Sequence, residues 1–269
     1  MPDPLVVSFA QIMKRPFFSC VIPVKGARPY MDEALESLKI QGMGDNLEVI
    51  IQDGDVEADS GQSDALNKGF SKAHGEWLFW LNADDVLLPG ALRKVKDYIG
   101  RVECIGRIEW IAGNTIYIDK DDKVIEVRCD ARWRPWFGKH MSVWTGGPSA
   151  CFRSELWQNH GGFDTNLRYV MDLDVWIRWA QAGIRFKGVN EYLWGFRVHE
   201  GSATYKSSNR RDIDREFQEV LYRLNIRNEQ FWRNVTRVAS IFDGTRWQKV
   251  RDTIRFKGRD LIDCVGCTE

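Results

Sequence analysis

An α/β fold is predicted, with a mostly parallel central sheet flanked by helices and a helical C-terminal extension. Three features of the sequence predict it. Strand and helix signals alternate over the first hundred residues, in the order that gives parallel strands covered by helices. The apolar runs are short and end on polar, glycine-bearing segments. From about residue 208 onward the pattern becomes purely helical. We place a boundary there, with a main domain over 1–207 and the extension over 208–269.

The elements follow in order. "FFSCVIPV" (17–24) is a short, β-branched apolar run and reads as a core strand. Pro29 can occupy a first helical turn, and Met31, Ala34, Leu35 and Leu38 then repeat at helical spacing. "LEVIIQD" (47–53) is a second strand that ends on an aspartate. "QSDALNKGFSKA" (62–73) returns to helix, with Ala65, Leu66, Gly69, Phe70 and Ala73 on one stripe. "EWLFWL" (76–81) is the third strand, and Pro89 is expected to open the next helix, through Leu92, Val95 and Ile99. "RIEWIAGNTIYID" and "KVIEVRCD" read as a hairpin turning around Lys120–Lys123. Residues 132–150 are aromatic and aperiodic, a loop of the length that usually carries function. A helix is expected near 170–182, with Leu173, Trp176, Ile177 and Ala180 on one face, followed by short extended segments. In the extension, Ile213, Phe217, Val220, Leu221 and Leu224 form an amphipathic stripe, and Phe231, Trp232, Val235 and Ile241 suggest another helix. This tail reads as a packing or lid element, or as a docking element for a membrane surface or partner.

Bulk properties narrow the function classes. A chain of 269 residues that is 43% hydrophobic and 12% aromatic can bury a full core. Lys+Arg and Asp+Glu balance at 38 each, so no global charge recruits nucleic acid or anionic lipid. "PLVVSFAQIM" near the N-terminus is too short for a membrane span and lacks the basic start of a signal peptide. A cytoplasmic protein is expected, at the inner face of a membrane if its partner is lipid-linked. The six scattered cysteines fit reduced, mostly buried thiols. Cys264 and Cys267 have zinc-like spacing, but no second pair accompanies them.

In open α/β sheets ligands bind beyond the carboxyl ends of the strands. Three strands here end in conspicuous residues: Pro23-Val24-Lys25, Asp53-Gly54-Asp55 and Asn82-Ala83-Asp84-Asp85. Adjacent parallel strands would bring all three to one edge. Two neighbouring aspartates at the rim of an apolar core repel unless water solvates them or a cation neutralises them. Oxygen ligands of this kind favour Mg²⁺ or Mn²⁺, with phosphate and water completing the shell. Neither GxxxxGK[ST] nor GxGxxG occurs, which disfavours P-loop and dinucleotide-binding sites.

Taken together, "VIPVKG…MDEALESLKIQ", "LEVIIQDG", "QSDALNKGFSKAHGEWLFWLNADDVLLPGAL" and "GGFDTNLRYVMDLDVWIR" resemble family 2 glycosyltransferases of the GT-A fold, over roughly residues 17–205. The resemblance implies inverting transfer of a sugar from a nucleotide-diphosphate donor, UDP-linked by preference, to an acceptor hydroxyl. It places Pro23 and Val24 in the nucleotide pocket and Asp53 on the base. Asn82, Ala83, Asp84 and Asp85 cover the family's DxD-type motif, with Asn82 where an aspartate is common. Asp84 and Asp85 are then the expected ligands of Mn²⁺ or Mg²⁺, with His199 completing the shell. Asp172 aligns with the catalytic base of an "ED" motif in which Met171 replaces the glutamate; helix capping is its structural alternative. Arg197 could pair with phosphate. Asp64 falls either near the donor or on its own helix as a cap. Leu66 stands where many relatives carry an arginine. In the aromatic loop, Trp133, Trp136 and Trp144 could stack on sugar rings. There Trp144, Gly147 and Pro148 are the candidate acceptor contacts, with the acceptor a saccharide or a lipid-linked saccharide. A metal-dependent nucleotidyltransferase and a non-catalytic carbohydrate-binding protein of the same fold are the alternatives.

Overall fold

A computed structural model describes residues 15–26, 28–104, 106–129, 147–202, 209–228, 230–231, 234 and 244–265. Strand β1 (Phe18–Val24) leads to helix α1 (Met31–Lys39), β2 (Leu47–Asp53), α2 (Gln62–Ser71), β3 (Trp77–Trp80), β4 (Val86–Leu87) and α3 (Ala91–Glu103). Then come β5 (Trp110–Ile118), β6 (Val124–Arg128), β7 (Ala150–Arg153), α4 (Ser154–His160), α5 (Met171–Gln181) and β8 (Phe186–Arg197). The described part of the tail forms α6 (Arg210–Arg223), α7 (Thr245–Phe256) and α8 (Leu261–Val265).

These strands build one sheet in the order β2-β1-β3-β7-β5-β8-β4, with β6 beside β5. Its first half is parallel as expected: Phe18 to Val24 pairs with Leu47 to Asp53, and Phe18 to Val21 with Trp77 to Trp80. The second half is mixed. Strand β7 runs antiparallel to both β3 and β5, and β8 runs parallel to β5. Two reversals cancel, so β1, β3, β5 and β8 all point their carboxyl ends at one edge. The segments expected to be short after residue 184 form a single twelve-residue strand instead. Register shifts between Ala112 and Thr115 let β5 follow it along its length.

Helices cover both faces because their apolar stripes match the pleat of the sheet. On one face Leu66 and Phe70 of α2 share a core with Trp176 and Trp179 of α5 and with Phe217, Val220 and Leu221 of α6. Trp110 and Trp176 stack there, with centroids 4.8 Å apart and planes 9° from parallel. On the other face α1 and α3 bury Ala34, Leu38, Leu92 and Val95 against Phe18, Cys20 and Phe79. A smaller core joins Ile116, Ile118 and Val127 to Phe256 of α7 and Cys264 of α8. Pro89 does not open α3: Gly90, left-handed at φ 71°, completes a turn first, and the helix starts at Ala91. The predicted 231–241 helix and Cys267 fall mostly outside the described residues. No described helix is long and apolar enough to cross a membrane.

Candidate active site

The carboxyl edge of the sheet opens into a cavity of about 550 Å³. Pro23 and Val24, at the end of β1, form part of its wall, with Ala65 of α2 beside them. Asn82, Ala83 and Asp84 enter from the turn after β3, and Phe196 and His199 from the end of β8. The sequence-predicted residues that meet here are therefore Pro23, Val24, Asn82, Ala83, Asp84 and His199.

Strand β4 explains how the acidic turn is held. It pairs antiparallel with Trp194 and Gly195 of β8, which draws the turn before it against the end of β8. Asp85 is buried there, with Oδ1 accepting the Arg197 amide at 2.9 Å and Oδ2 accepting Asn82 Nδ2 at 2.7 Å. Burial and the neighbouring Asp84 charge push its carboxyl well up. The placement corrects the expectation of a metal ligand: both oxygens of Asp85 are spent inside the protein. Asn82 is spent likewise, since its Oδ1 accepts from Gln62 Nε2 at 2.8 Å. This asparagine is a brace between α2 and Asp85.

Arg197 is corrected in the same way. Its guanidinium is 1% exposed and fully engaged, to the Asp84 carbonyl at 3.0 Å, Asp122 at 2.7 Å and Glu33 at 2.6 Å. It lies 4.4 Å over the Tyr30 ring. No face of the fork is left for a phosphate. It fixes the acidic turn by its carbonyl and so sets the direction of the Asp84 side chain.

Asp84 is one-third exposed and faces the cavity, with Oδ2 3.0 Å from His199 Nε2. The other ring nitrogen of His199, Nδ1, accepts the Gly201 amide at 3.1 Å, which fixes the plane of the ring. Asp84 and His199 are the two side chains here whose donor atoms would suit a divalent cation, which would replace the hydrogen bond between them. Among the described residues no group of three or more His, Cys, Asp or Glu gathers around a point. The cavity thus offers two protein ligands and leaves the rest of a shell to phosphate and water, the usual arrangement for Mg²⁺ and Mn²⁺.

The remaining predicted residues stand apart from the cavity wall. Asp53 is clamped by Arg28 at 2.6 Å and by the Asp55 amide at 2.9 Å. Those contacts, the amide first, hold its carboxyl below the usual range. Asp64 accepts from the Ser60 amide at 2.9 Å and from Lys68 at 3.0 Å, and is lowered by them in that order. It is therefore a brace for the start of its own helix. Asp172 sits in the first turn of α5, where its Oδ1 accepts the Leu173 amide at 2.8 Å. Burial raises it to about 6, against opposing hydrogen bonds from the Leu173, Asp172 and Gly147 amides. Met171 beside it is buried, with its sulfur 2.9 Å from Ser63 Oγ. Asp174 is bound by Arg178 and Arg223.

Gly147 and Pro148 are buried against the core rather than open to the cavity. A Cβ on Gly147 would lie 2.1 Å from the Trp80 ring, so only glycine lets this segment cross the indole. Trp133, Trp136 and Trp144 lie outside the described residues. Sequence reasoning placed Lys25 at the edge without giving it a role, and it missed Arg28, Tyr30, Asp59 and Gln62, all of which line the cavity. "PVKGARPY" held the signal, since its two cations directly follow a strand whose end borders the site.

Comparison with known proteins bears on the fold and the family. The family profile described as Glycosyl transferase family 2 matches residues 56–154. An uncharacterized glycosyltransferase of Rickettsia typhi is 22% identical over 220 residues, covering 72% of this chain and 68% of the relative. A PGL/p-HBAD biosynthesis glycosyltransferase of Mycobacterium tuberculosis is 30% identical over 115 residues, covering 34% of this chain and 44% of the relative. Among solved structures, S. aureus TarS in complex with UDP-GlcNAc aligns with a TM-score of 0.56 at 16% identity, covering 77% of this chain and 65% of that one. A mannosyltransferase from Pyrobaculum calidifontis, in complex with GDP-Man and Mn²⁺, aligns with a TM-score of 0.51 at 17% identity, covering 71% of this chain and 59% of that one. The chain thus spans less than two thirds of either solved chain.

Proposed function

We propose that this chain, which matches the family 2 glycosyltransferase profile over residues 56–154, is a glycosyltransferase that moves a sugar from a nucleotide-diphosphate donor to an acceptor hydroxyl with inversion. The carrying observation is the meeting of Asp84 and His199, from the ends of β3 and β8, on a cavity at the carboxyl edge. The cavity would take the donor's nucleoside against Pro23, Val24 and Ala65, with Arg28 on the wall and Asp53 behind it. The resemblance, which sets Asp53 at the base, favours a UDP-linked sugar. The neighbours bound to UDP-GlcNAc and to GDP-Man make both nucleotides worth testing.

Asp84 and His199 would hold Mn²⁺ or Mg²⁺, which supplies Lewis-acid stabilisation of the diphosphate as it leaves. Asp172 would take the proton from the acceptor hydroxyl while that oxygen bonds to the anomeric carbon and the bond to the diphosphate breaks. With its carboxyl raised to about 6, it is ionised near neutral pH and still basic enough to accept a proton. The acceptor is proposed to be a saccharide or lipid-linked saccharide in glycan, polysaccharide or glycolipid synthesis. We assign the chemistry to residues 1–207 and a supporting role to 208–269.

A panel of UDP- and GDP-sugars, each incubated with Mn²⁺ or with EDTA, tests this reading through slow release of nucleoside diphosphate. Release is expected with at least one donor, and EDTA should abolish it. Absence of both hydrolysis and calorimetric binding across the panel would sink the proposal.

A further inference from the structure

The outer face of α7 reverses the usual order of a surface helix. Phe256 and Asp252 point inward, where Phe256 joins the small core and Asp252 accepts a hydrogen bond from Tyr192 of β8 at 2.8 Å. Directly opposite, at spacing i, i+3 and i+7, stand Trp247, Val250 and Ile254. They are 65%, 45% and 77% exposed, and Ile262 of α8 is 79% exposed. Scattered exposed apolar residues need no explanation, but a continuous stripe turned away from the core does. Along α7 its flanks are basic, although Lys249 and Arg251 are paired with Glu126 and Asp252, and Asp260 and Asp263 stand beside Ile262. Residues 245–257 contain Arg246, Lys249, Arg251, Arg255 and Lys257 against a single acid, Asp252, which faces inward.

We infer that this face seats the protein on an anionic phospholipid surface, with α7 lying in the plane of the membrane. The charge pattern selects the occupant. An apolar stripe between cationic flanks is the pattern of an interfacial helix, in which Trp and aliphatic side chains enter the acyl boundary and Arg/Lys meet phosphate headgroups. Contact with a second copy of the chain would set these cations against one another. Hydrogen bonds also connect the segment after α7 to the acidic turn. Leu261, just after α7, donates its amide to the Asp122 carbonyl, and Asp122 is a partner of Arg197, which holds the acidic turn. The inference goes beyond sugar transfer and does not depend on it, because docking requires no donor.

Flotation of the full-length protein with vesicles tests it directly. At low salt the protein should float with phosphatidylcholine vesicles containing about one third phosphatidylglycerol, and far less with phosphatidylcholine alone. The double variant Trp247→Asp/Ile254→Asp should lose about tenfold or more of this binding. Arg246→Gln/Lys257→Gln should lose roughly fivefold per charge, an effect that added salt reproduces in the parent. Both pairs are exposed, so unchanged thermal melting verifies that folding is intact. Failure to float with the anionic vesicles, or equal flotation of the Trp247/Ile254 variant, overturns the proposal. So does a concentration-dependent dimer that the same variant abolishes, since the face would then belong to a second copy.

Discussion

At the scale of single residues, the site divides by what each carboxylate can still reach. Asp85 and Asp174 have both oxygens committed to the protein and Asp64 has Oδ2 so committed, whereas Asp84 keeps an exposed edge and Asp172 a raised affinity for protons. Two consequences of Asp172 can be measured. Replacing it by Asn should abolish transfer while leaving donor affinity nearly unchanged; lost donor binding would show that the base is another residue. In the parent, kcat/KM should fall about tenfold per pH unit below about 6, as the base becomes protonated. The stability effect has the opposite sense. Because folding raises this carboxyl from 3.8 to about 6, its favourable contribution is complete below the lower value and is lost as pH rises through the upper one. Above that window Asp172→Asn should therefore be the more stable protein, by roughly 1–3 kcal/mol in urea unfolding. The sequence pattern singled out both residues, yet it could not tell Asp84 from Asp85. Adjacent positions in a turn look alike until β4 pairs with β8 and one of them is closed in.

Elements set the precision of that arrangement. Helix α2 lies close on β1, and a Cβ at Gly69 would come within 2.3 Å of Val21 Cγ1. The first residue of the same helix, Gln62, meets Asn82, the brace of the acidic turn. Gly69→Ala should thus lift α2 from the sheet, costing roughly 1–3 kcal/mol as an overpacked core does. Donor KM should rise with it, because the shift reaches the cavity wall through Gln62 and Ala65. A variant with unchanged melting and KM would mean that the helix accommodates the methyl elsewhere. Helix periodicity read α1, α2 and α5 well, since each has a clean stripe over two or more turns. The two-residue β4 and the four-residue β7 carry too few residues for any period to register, and only pairing with their neighbours makes them strands.

On the scale of the whole molecule, the described part of the tail is built into the same body as the sheet. Glu216 of α6 accepts the Arg168 and Tyr169 amides just before α5, and Arg223 bridges Asp164 and Asp174. Amides of Val220 and Leu221 should therefore exchange hydrogen as slowly as those of Trp176 and Ile177 under native conditions. Exchange near the rate of an open chain would show α6 to be an independent flap. The sequence by itself determined the α/β class, the parallel first half, the ends of β1 and β3 that line the cavity and the resemblance to family 2 glycosyltransferases. These are local matters, settled by hydrophobic period and by the polar residues that stop each run. The tertiary structure alone decided which acids stay open, that Arg197 serves the fold, and that α7 turns its apolar stripe outward. Each of those depends on which distant segment arrives as a neighbour, because burial and pairing are properties of the packed chain and not of a residue's place in the sequence.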